Sequence, residues 1–185
     1  HFSGVDDAPG TISLFGLDGH YIGVAPIEGD RHNAAMSVPA ARIRKFKSDF
    51  DALFAQCLRE NAGLAKRFTR AERVSSWMAS PLPRFPVAPR WHPPVIPIGN
   101  AAAALEPIGG EGIGLALRSA ELLSAWVASS RKNLDELRDQ FNKLWRIRHL
   151  GARATAMVLS RPRLARLAVG ALNVNHRLAR PVMVT

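Results

Sequence analysis

The sequence predicts an α+β fold in which an antiparallel β-meander precedes a region of helices. Three β-rich segments, separated by turns that contain Asp-Gly and Glu-Gly, fill residues 11–38. Apolar residues recur at helical spacing from about residue 50 onward. Hydrophobic residues make up 47% of the 185-residue chain, which is enough to build a packed core.

Turn residues and prolines set the limits of the predicted meander. Asp18 and Gly19 form a dipeptide typical of a two-residue hairpin turn, between strands at residues 11–17 and 20–27. A third strand is predicted over residues 32–38. Because proline has no amide hydrogen to give to a sheet, Pro26 and Pro39 are expected at strand ends or edges.

A helix is predicted after the meander, from Ser48 or Asp49 to about Asn61. Its apolar side chains have the spacing of one helix face: Phe50, Leu53, Phe54, Cys57 and Leu58. Cys57 is therefore interpreted as a buried structural thiol. A shorter helix near 64–70 and a strand over 73–79 are predicted to follow.

The second half of the chain opens with a proline-rich connection over residues 81–97, which is expected to be extended and to lie on the body of the protein. A short buried strand is predicted at 95–99. Helices follow from Gly109 or Gly110 to about residue 130 and from about 133 to 150. A basic helical region over 160–181 is expected to break near Pro162 and Gly170. The predicted segments of the chain are 1–94, 95–130 and 131–185.

The net charge of +10 lies almost entirely in the last 55 residues. Residues 1–130 hold 13 Lys and Arg against 12 Asp and Glu, whereas residues 131–185 hold 12 against 3. Three interpretations of this basic region stay open. It packs on the body with its arginines solvated, it contacts an anionic membrane surface, or, least favoured, it binds nucleic acid.

Few polar residues outside residues 99–114 indicate a catalytic or metal-binding site. The six histidines show no spacing typical of metal ligands, so no metal site is predicted, and His20 and His32 are interpreted as solvated strand residues. The single cysteine, Cys57, fits a reducing compartment, so we expect a cytoplasmic protein, with peripheral contact to the inner face of a membrane as a further option.

A helix start rich in glycine lies at residues 99–114. The first turn of a helix has amides without intrahelical partners and a partial positive charge, and glycine lets a ligand approach that backbone closely. Glycine also serves a tight turn or close helix packing, so the glycine count by itself does not decide between the two interpretations.

The order of these residues resembles the second flavin-binding motif of FAD-dependent monooxygenases and reductases, the group of para-hydroxybenzoate hydroxylase-like and geranylgeranyl reductase-like flavoproteins. The resemblance implies FAD as cofactor and a fragment of the α/β FAD-binding fold. It places Gly99 and Asn100 beside the ribityl and pyrophosphate part of FAD. It places the edge of the flavin ring at N1 and O2 against the remaining motif residues: Pro107, Gly109, Gly110, Gly112 and Ile113.

Departures from the family pattern refine these expectations. Asn100 stands where the family has Asp, and Ala103 stands where many hydroxylases have His, so the reductase branch is favoured. No G-x-G-x-x-G dinucleotide fingerprint occurs, and the chain begins with His1 rather than Met. The chain is therefore expected to be the C-terminal portion of the enzyme, which would need its missing N-terminal half as a partner.

The resemblance implies a reductase or dehydrogenase that acts on a hydrophobic or lipid-like substrate. A FAD-dependent aromatic-type monooxygenase and a non-enzymatic basic module that binds membrane or nucleic acid are the alternatives. In the reductase branch, a strand with the pattern Y-x-W-x-F-P lines the lipid cavity, and Tyr21 and Pro26 keep that spacing, so Tyr21 is a candidate substrate-binding residue. Glu106 and Glu111 flank the flavin motif and are candidate proton donors.

Overall fold

The computed structural model describes residues 1–92, 94–129 and 133–174, and these residues have the predicted mixed α+β architecture. The strands are β1 (Phe2–Ser3), β2 (Ser13–Leu17), β3 (His20–Ile27), β4 (Arg31–Ser37) and β5 (Glu72–Arg73). The helices are α1 (Ala40–Lys45), α2 (Phe50–Glu60), α3 (Ala62–Arg67), α4 (Gly112–Ala128), α5 (Leu134–Leu159) and α6 (Pro162–Val174).

The strands form one antiparallel sheet in the order β2-β3-β4-β1-β5, which confirms the predicted meander of β2, β3 and β4. Leu17 pairs with His20, so Asp18 and Gly19 are the two-residue turn between them, and Gly19 has a φ of 76°. The edge pairing of β1 with β4 and β5 was not predicted. Two-residue strands are too short to show an alternating pattern.

The chain divides into two compact units, and the first comprises residues 1–79 and 156–178, of which 175–178 lie outside the described residues. One face of the sheet packs on α2 and α3 in an apolar core. Its buried members are Phe2, Phe15, Leu17, Ile22, Val24, Leu53, Phe54, Cys57, Leu64 and Phe68. The predicted α2 is confirmed, and the Asp49 side chain accepts a hydrogen bond from the Ala52 amide at its start.

In this unit one predicted helix is present with shifted ends, and one predicted strand is wrong beyond its first residue. The shorter helix is α3, which starts earlier than expected because Asn61 caps it by accepting a hydrogen bond from the Leu64 amide. The strand predicted at 73–79 ends after Arg73 as β5. Beyond that point Trp77 packs its ring 5.5 Å from that of Phe54, and its indole nitrogen donates to Asp51 at 2.9 Å.

His20 is buried, not solvated as predicted, and it is hydrogen-bonded to the core cysteine. Its Nδ1 donates to the Asp18 carbonyl oxygen at 2.9 Å, which leaves Nε2 to accept a bond from the Cys57 thiol at 3.5 Å. Burial lowers the pKa of His20 and raises the pKa of Cys57 to about 11. The pair is therefore neutral at pH 7, and the prediction of a buried, structural Cys57 is confirmed.

We expect the stability of the protein to fall as the pH drops below 6.5, the ordinary pKa of histidine. There the unfolded chain takes up a proton at His20 that the folded protein does not, which costs at most about 1.4 kcal/mol for each pH unit. Urea unfolding at pH 7.5 and pH 5.5 measures this loss. His20→Gln should reduce the difference between the two pH values, whereas the exposed control His92→Gln should leave it unchanged. Equal effects of the two variants would contradict the assignment to His20.

The second unit comprises residues 80–155 and 179–185, of which 93, 130–132 and 179–185 lie outside the described residues. Its core joins the proline-rich segment, the residues after Gly99 and α5. The buried core side chains are Val87, Trp91, Ala102, Ala103, Leu137 and Phe141. The prediction that the proline-rich segment lies on the body of the protein is confirmed within this unit.

The predicted strand at residues 95–99 is wrong. This segment is irregular and leads into a 3₁₀ turn at Gly99–Ala101. Pro94 and Pro97 lie in or next to it and have no amide hydrogens to give to a neighbouring strand. The one β-bridge of the described residues outside the named strands joins Phe85 to Ala104.

The helices of the second half differ from prediction at their ends. The helix predicted to end at about residue 150 is α5, which continues to Leu159, and α6 runs through Gly170 without the predicted break. Pro162 opens α6 at a position where its missing amide hydrogen is not needed. The rest of the predicted basic region, residues 175–181, lies outside the described residues.

The division into segments 1–94, 95–130 and 131–185 stays a prediction. Among the described residues, no helix is long and apolar enough to cross a membrane.

Candidate functional site

Gly99 is held against α4 by a buried hydrogen bond. Its amide donates to the hydroxyl of Ser119 at 2.8 Å, and that hydroxyl donates to the Ala116 carbonyl oxygen at 2.9 Å. Gly99 has a φ of 55°, and a Cβ there would lie 2.9 Å from the Cβ of Ala116. Glycine is therefore required at this position by backbone conformation and by the close approach of the helix.

The next residue, Asn100, is exposed and lies beside the start of α4. A Cβ added to Gly112 would lie 3.4 Å from the Nδ2 atom of Asn100. The bond between Gly99 and Ser119 thus holds Asn100 next to the first residue of the helix. The two parts of the sequence motif, which are separated by the intervening loop, meet at this point.

The start of α4 is open to solvent. A second 3₁₀ turn, Pro107–Gly109, ends at Gly110, which has a φ of 64°, and a Cβ on Gly110 would meet nothing within 4 Å. No side chain caps α4, so its first amides have no side-chain acceptor. Ile113 follows with 77% of its surface exposed. An uncapped helix start next to an exposed apolar side chain is suited to an anionic or electron-rich ring.

Ion pairs that were not predicted hold the ends of the motif loop. Glu106 pairs with Arg84 of the proline-rich segment at 2.8 Å, and Glu111 pairs with Arg148 of α5 at 3.2 Å. Both carboxylates, which were candidate proton donors, thus have a structural partner. The signal for these pairs is weak in the sequence, because the partners lie more than 20 residues away.

The loop between the two 3₁₀ turns is buried from Ala102 to Glu106. The Ala104 amide donates to the Phe85 carbonyl oxygen at 3.0 Å, and the Trp145 indole donates to the Ala104 carbonyl oxygen at 3.4 Å. The proline-rich segment and α5 therefore fix this loop. The exposed motif residues at its two ends are fixed with it.

Most of the predicted cofactor-binding residues are brought together on one surface of the second unit. Gly99 lies beneath this surface, and the others lie at it: Asn100, Pro107, Gly109, Gly110, Gly112 and Ile113. Their contact with a cofactor stays a prediction. Ser119 was missed, although a serine within an Ala- and Leu-rich helix, four residues after Leu115, was a visible signal.

Tyr21, the candidate substrate-binding residue, belongs to the first unit and is 7% exposed. It pairs with Gly16 across β2 and β3, so the two residues share one face of the sheet. A Cβ on Gly16 would overlap the Leu159 carbonyl oxygen, which shows that the end of α5 covers this part of the face. A role for Tyr21 toward a substrate stays a prediction.

The described residues contain no group of three or more His, Cys, Asp or Glu side chains able to hold a metal.

Solved structures that resemble the chain include the flavin-dependent brominase Bmp2. The match has a TM-score of 0.75 at 20% identity and covers 98% of this chain and 48% of the brominase. The chain has the fold of about half of this flavin-dependent enzyme. A triple mutant of the same brominase matches with a TM-score of 0.63 at 24% identity, over 86% of this chain and 43% of the mutant. No protein-family model and no curated protein matches the chain.

We predict that Ser119→Ala destabilises the second unit by about 1–3 kcal/mol, because it leaves the buried Gly99 amide without an acceptor. Ser124→Ala, at a position of the same helix that is not buried, is the matched control and should change stability by less than about 0.5 kcal/mol. Denaturant unfolding of the two variants measures the difference. Equal stabilities would show that the Ser119 hydroxyl does not hold Gly99.

Glycine substitutions at the two ends of the motif should have opposite effects. Gly99→Ala should destabilise the protein, because the new methyl group meets Ala116 and the φ of 55° is strained for alanine. Gly114→Ala meets nothing within 4 Å and should stabilise α4 by about 0.4–1 kcal/mol. Thermal unfolding of both variants tests this. A stable Gly99→Ala variant would contradict the close approach of Gly99 and α4.

Proposed function

We propose that this chain supplies the second half of a FAD site in a FAD-dependent oxidoreductase. The observation that carries the proposal is the uncapped, exposed start of α4 beside Asn100, in a chain with the fold of about half of a flavin-dependent enzyme. The residues present are compatible with the group, because the backbone at the start of α4 is accessible: a Cβ on Gly110 or Gly114 would meet nothing within 4 Å.

In this proposal Asn100 hydrogen-bonds the ribityl and pyrophosphate part of the cofactor. The backbone from Pro107 to Ile113 faces the edge of the flavin ring. A bound flavin would supply hydride transfer or oxygen activation. The first amides of α4 and the helix dipole would stabilise the negative charge that a reduced flavin carries at that edge.

The partner that completes the site is, in our proposal, the upstream half of the same enzyme. The chain spans about half the length of the solved structures it matches. Beyond its first turn, α4 exposes two further large apolar side chains, Leu117 at 63% and Val127 at 56%. Their spacing places them on one helix face, and the upstream half would cover that face. We also propose a cytoplasmic location, since the single cysteine suits a reducing compartment.

Two reaction types are candidates for the complete enzyme. The Gly-Glu-Gly sequence at 110–112 and Ala103 favour a reductase or dehydrogenase that acts on a hydrophobic or lipid-like substrate. The similarity to a brominase favours a flavin enzyme of the monooxygenase type, which consumes oxygen. Turnover of the full-length enzyme with and without oxygen distinguishes them. A reductase works anaerobically, whereas an oxygen-dependent enzyme stops, and a halogenating enzyme also needs halide.

We predict that Ile113→Glu weakens FAD binding by the full-length protein about tenfold or more, because it places a carboxylate where the anionic cofactor would lie. The same carboxylate favours the helix start, so the protein should remain folded. Ala125→Glu adds the same charge at an exposed position of α4 far from its start and should retain wild-type binding. Flavin content by visible spectrum and a fluorescence titration measure the effect. A wild-type protein without flavin, or equal binding by both variants, would contradict the proposal.

A further inference from the structure

Helix α6 has an exposed apolar stripe that no other described part of the chain covers. None of its residues is buried, although most are apolar, and none belongs to a core cluster. Ala165 and Ala168 are half-buried and mark the side of the helix that faces the first unit. The apolar stripe of α6 begins beside this side at Leu164 and turns away from it through Ala171, Leu167 and Val174, of which Leu167 is 71% and Val174 is 89% exposed.

Basic residues flank this stripe. Arg163 and Arg166 follow one edge of it on the helical wheel and are exposed, and Arg161 lies at the start of the helix. None of these arginines forms an ion pair with another described residue. Residues 140–185 contain no Asp or Glu at all, so nothing on this part of the chain neutralises them.

The helix is attached so that the stripe keeps its orientation. The Ser160 carbonyl oxygen, just before α6, accepts a hydrogen bond from the Gly19 amide at the β2–β3 turn. Leu159 lies against Gly16 of β2. The other helix of the basic region, α5, places Leu137 and Phe141 in the core of the second unit. Further along α5, Ile147 and Leu150 are exposed at 55% and 67%, so α6 is set apart by having no buried residue at all.

We propose that the apolar stripe of α6 binds the surface of an anionic lipid membrane. A helix of this kind lies in the plane of the interface, with its leucines among the acyl chains and its arginines at the lipid phosphates. The apolar stripe explains why a lipid is favoured over nucleic acid, which offers charge but no comparable apolar layer. The proposal does not depend on flavin binding.

The test uses the full-length natural protein and vesicles of phosphatidylserine with phosphatidylcholine, compared with vesicles of phosphatidylcholine alone. We expect co-sedimentation with the anionic vesicles at low ionic strength. Binding should weaken at about 1 M salt, where the Debye length is about 3 Å. No binding at low salt, or equal binding to both kinds of vesicle, would overturn the proposal.

Variants assign the binding to α6. Leu167→Asp should weaken it more than about tenfold, since a leucine that enters the lipid is replaced by a charge. Ile12→Asp, at a residue 70% exposed on the same unit, should bind as wild type. Replacing Arg163 and Arg166 by Gln should weaken binding about fivefold for each arginine. The same change at Arg44 and Arg70, which are exposed elsewhere on the unit, is the control.

Other occupants of the stripe give different results. If the upstream half of the enzyme covers α6, the full-length protein will not bind vesicles and Leu167→Asp will destabilise it in denaturant unfolding. If nucleic acid is the partner, duplex DNA will retain the wild type, the arginine variants will lose that retention, and Leu167→Asp will not. Either result would overturn the proposal. Far-UV circular dichroism of each variant is the control that checks whether it is folded.

Discussion

The hydrogen bond from the Gly99 amide to the Ser119 hydroxyl is the interaction on which the candidate site depends. It is buried and brings the backbone of a 3₁₀ turn within van der Waals distance of α4 at Ala116. A side chain on Gly99 would separate the two. Because Asn100 directly follows Gly99, the same contact sets the position of Asn100 at the start of α4. The 11 residues between Asn100 and Gly112 therefore do not have to position Asn100.

The remainder of the second unit stabilises this arrangement and leaves the helix start free. Arg84 and Arg148 hold the two glutamates of the loop from opposite parts of the sequence, and Trp145 donates to the loop backbone. These contacts use side chains beside the motif and not the first amides of α4. A helix dipole and first-turn amides without a side-chain cap, at an accessible surface that contains glycines, are the physical basis of the proposed flavin contact.

Sequence patterns over a few residues correctly predicted the hairpin turn and the buried face of α2. Asp18-Gly19 indicated the hairpin, and the spacing of Leu53, Phe54 and Cys57 indicated the buried face of α2. The failures have long-range causes. Burial of His20 depends on Cys57, 37 residues away, and β1 and β5 exist through pairing with distant strands. The motif residues Asn100 and Gly112 do lie together, but the Ser119 bond and the ion pairs that hold the motif follow from the tertiary structure.

The amides at the start of α4 offer the most direct measurement of the central claim, that this chain forms half of a FAD site. Hydrogen–deuterium exchange of the full-length protein, with and without FAD, reports on each amide separately. We predict that FAD slows exchange in residues 109–114 and leaves exchange in the far end of α4, near Val127, unchanged. Unchanged exchange at 109–114 in the presence of bound FAD would contradict the claim.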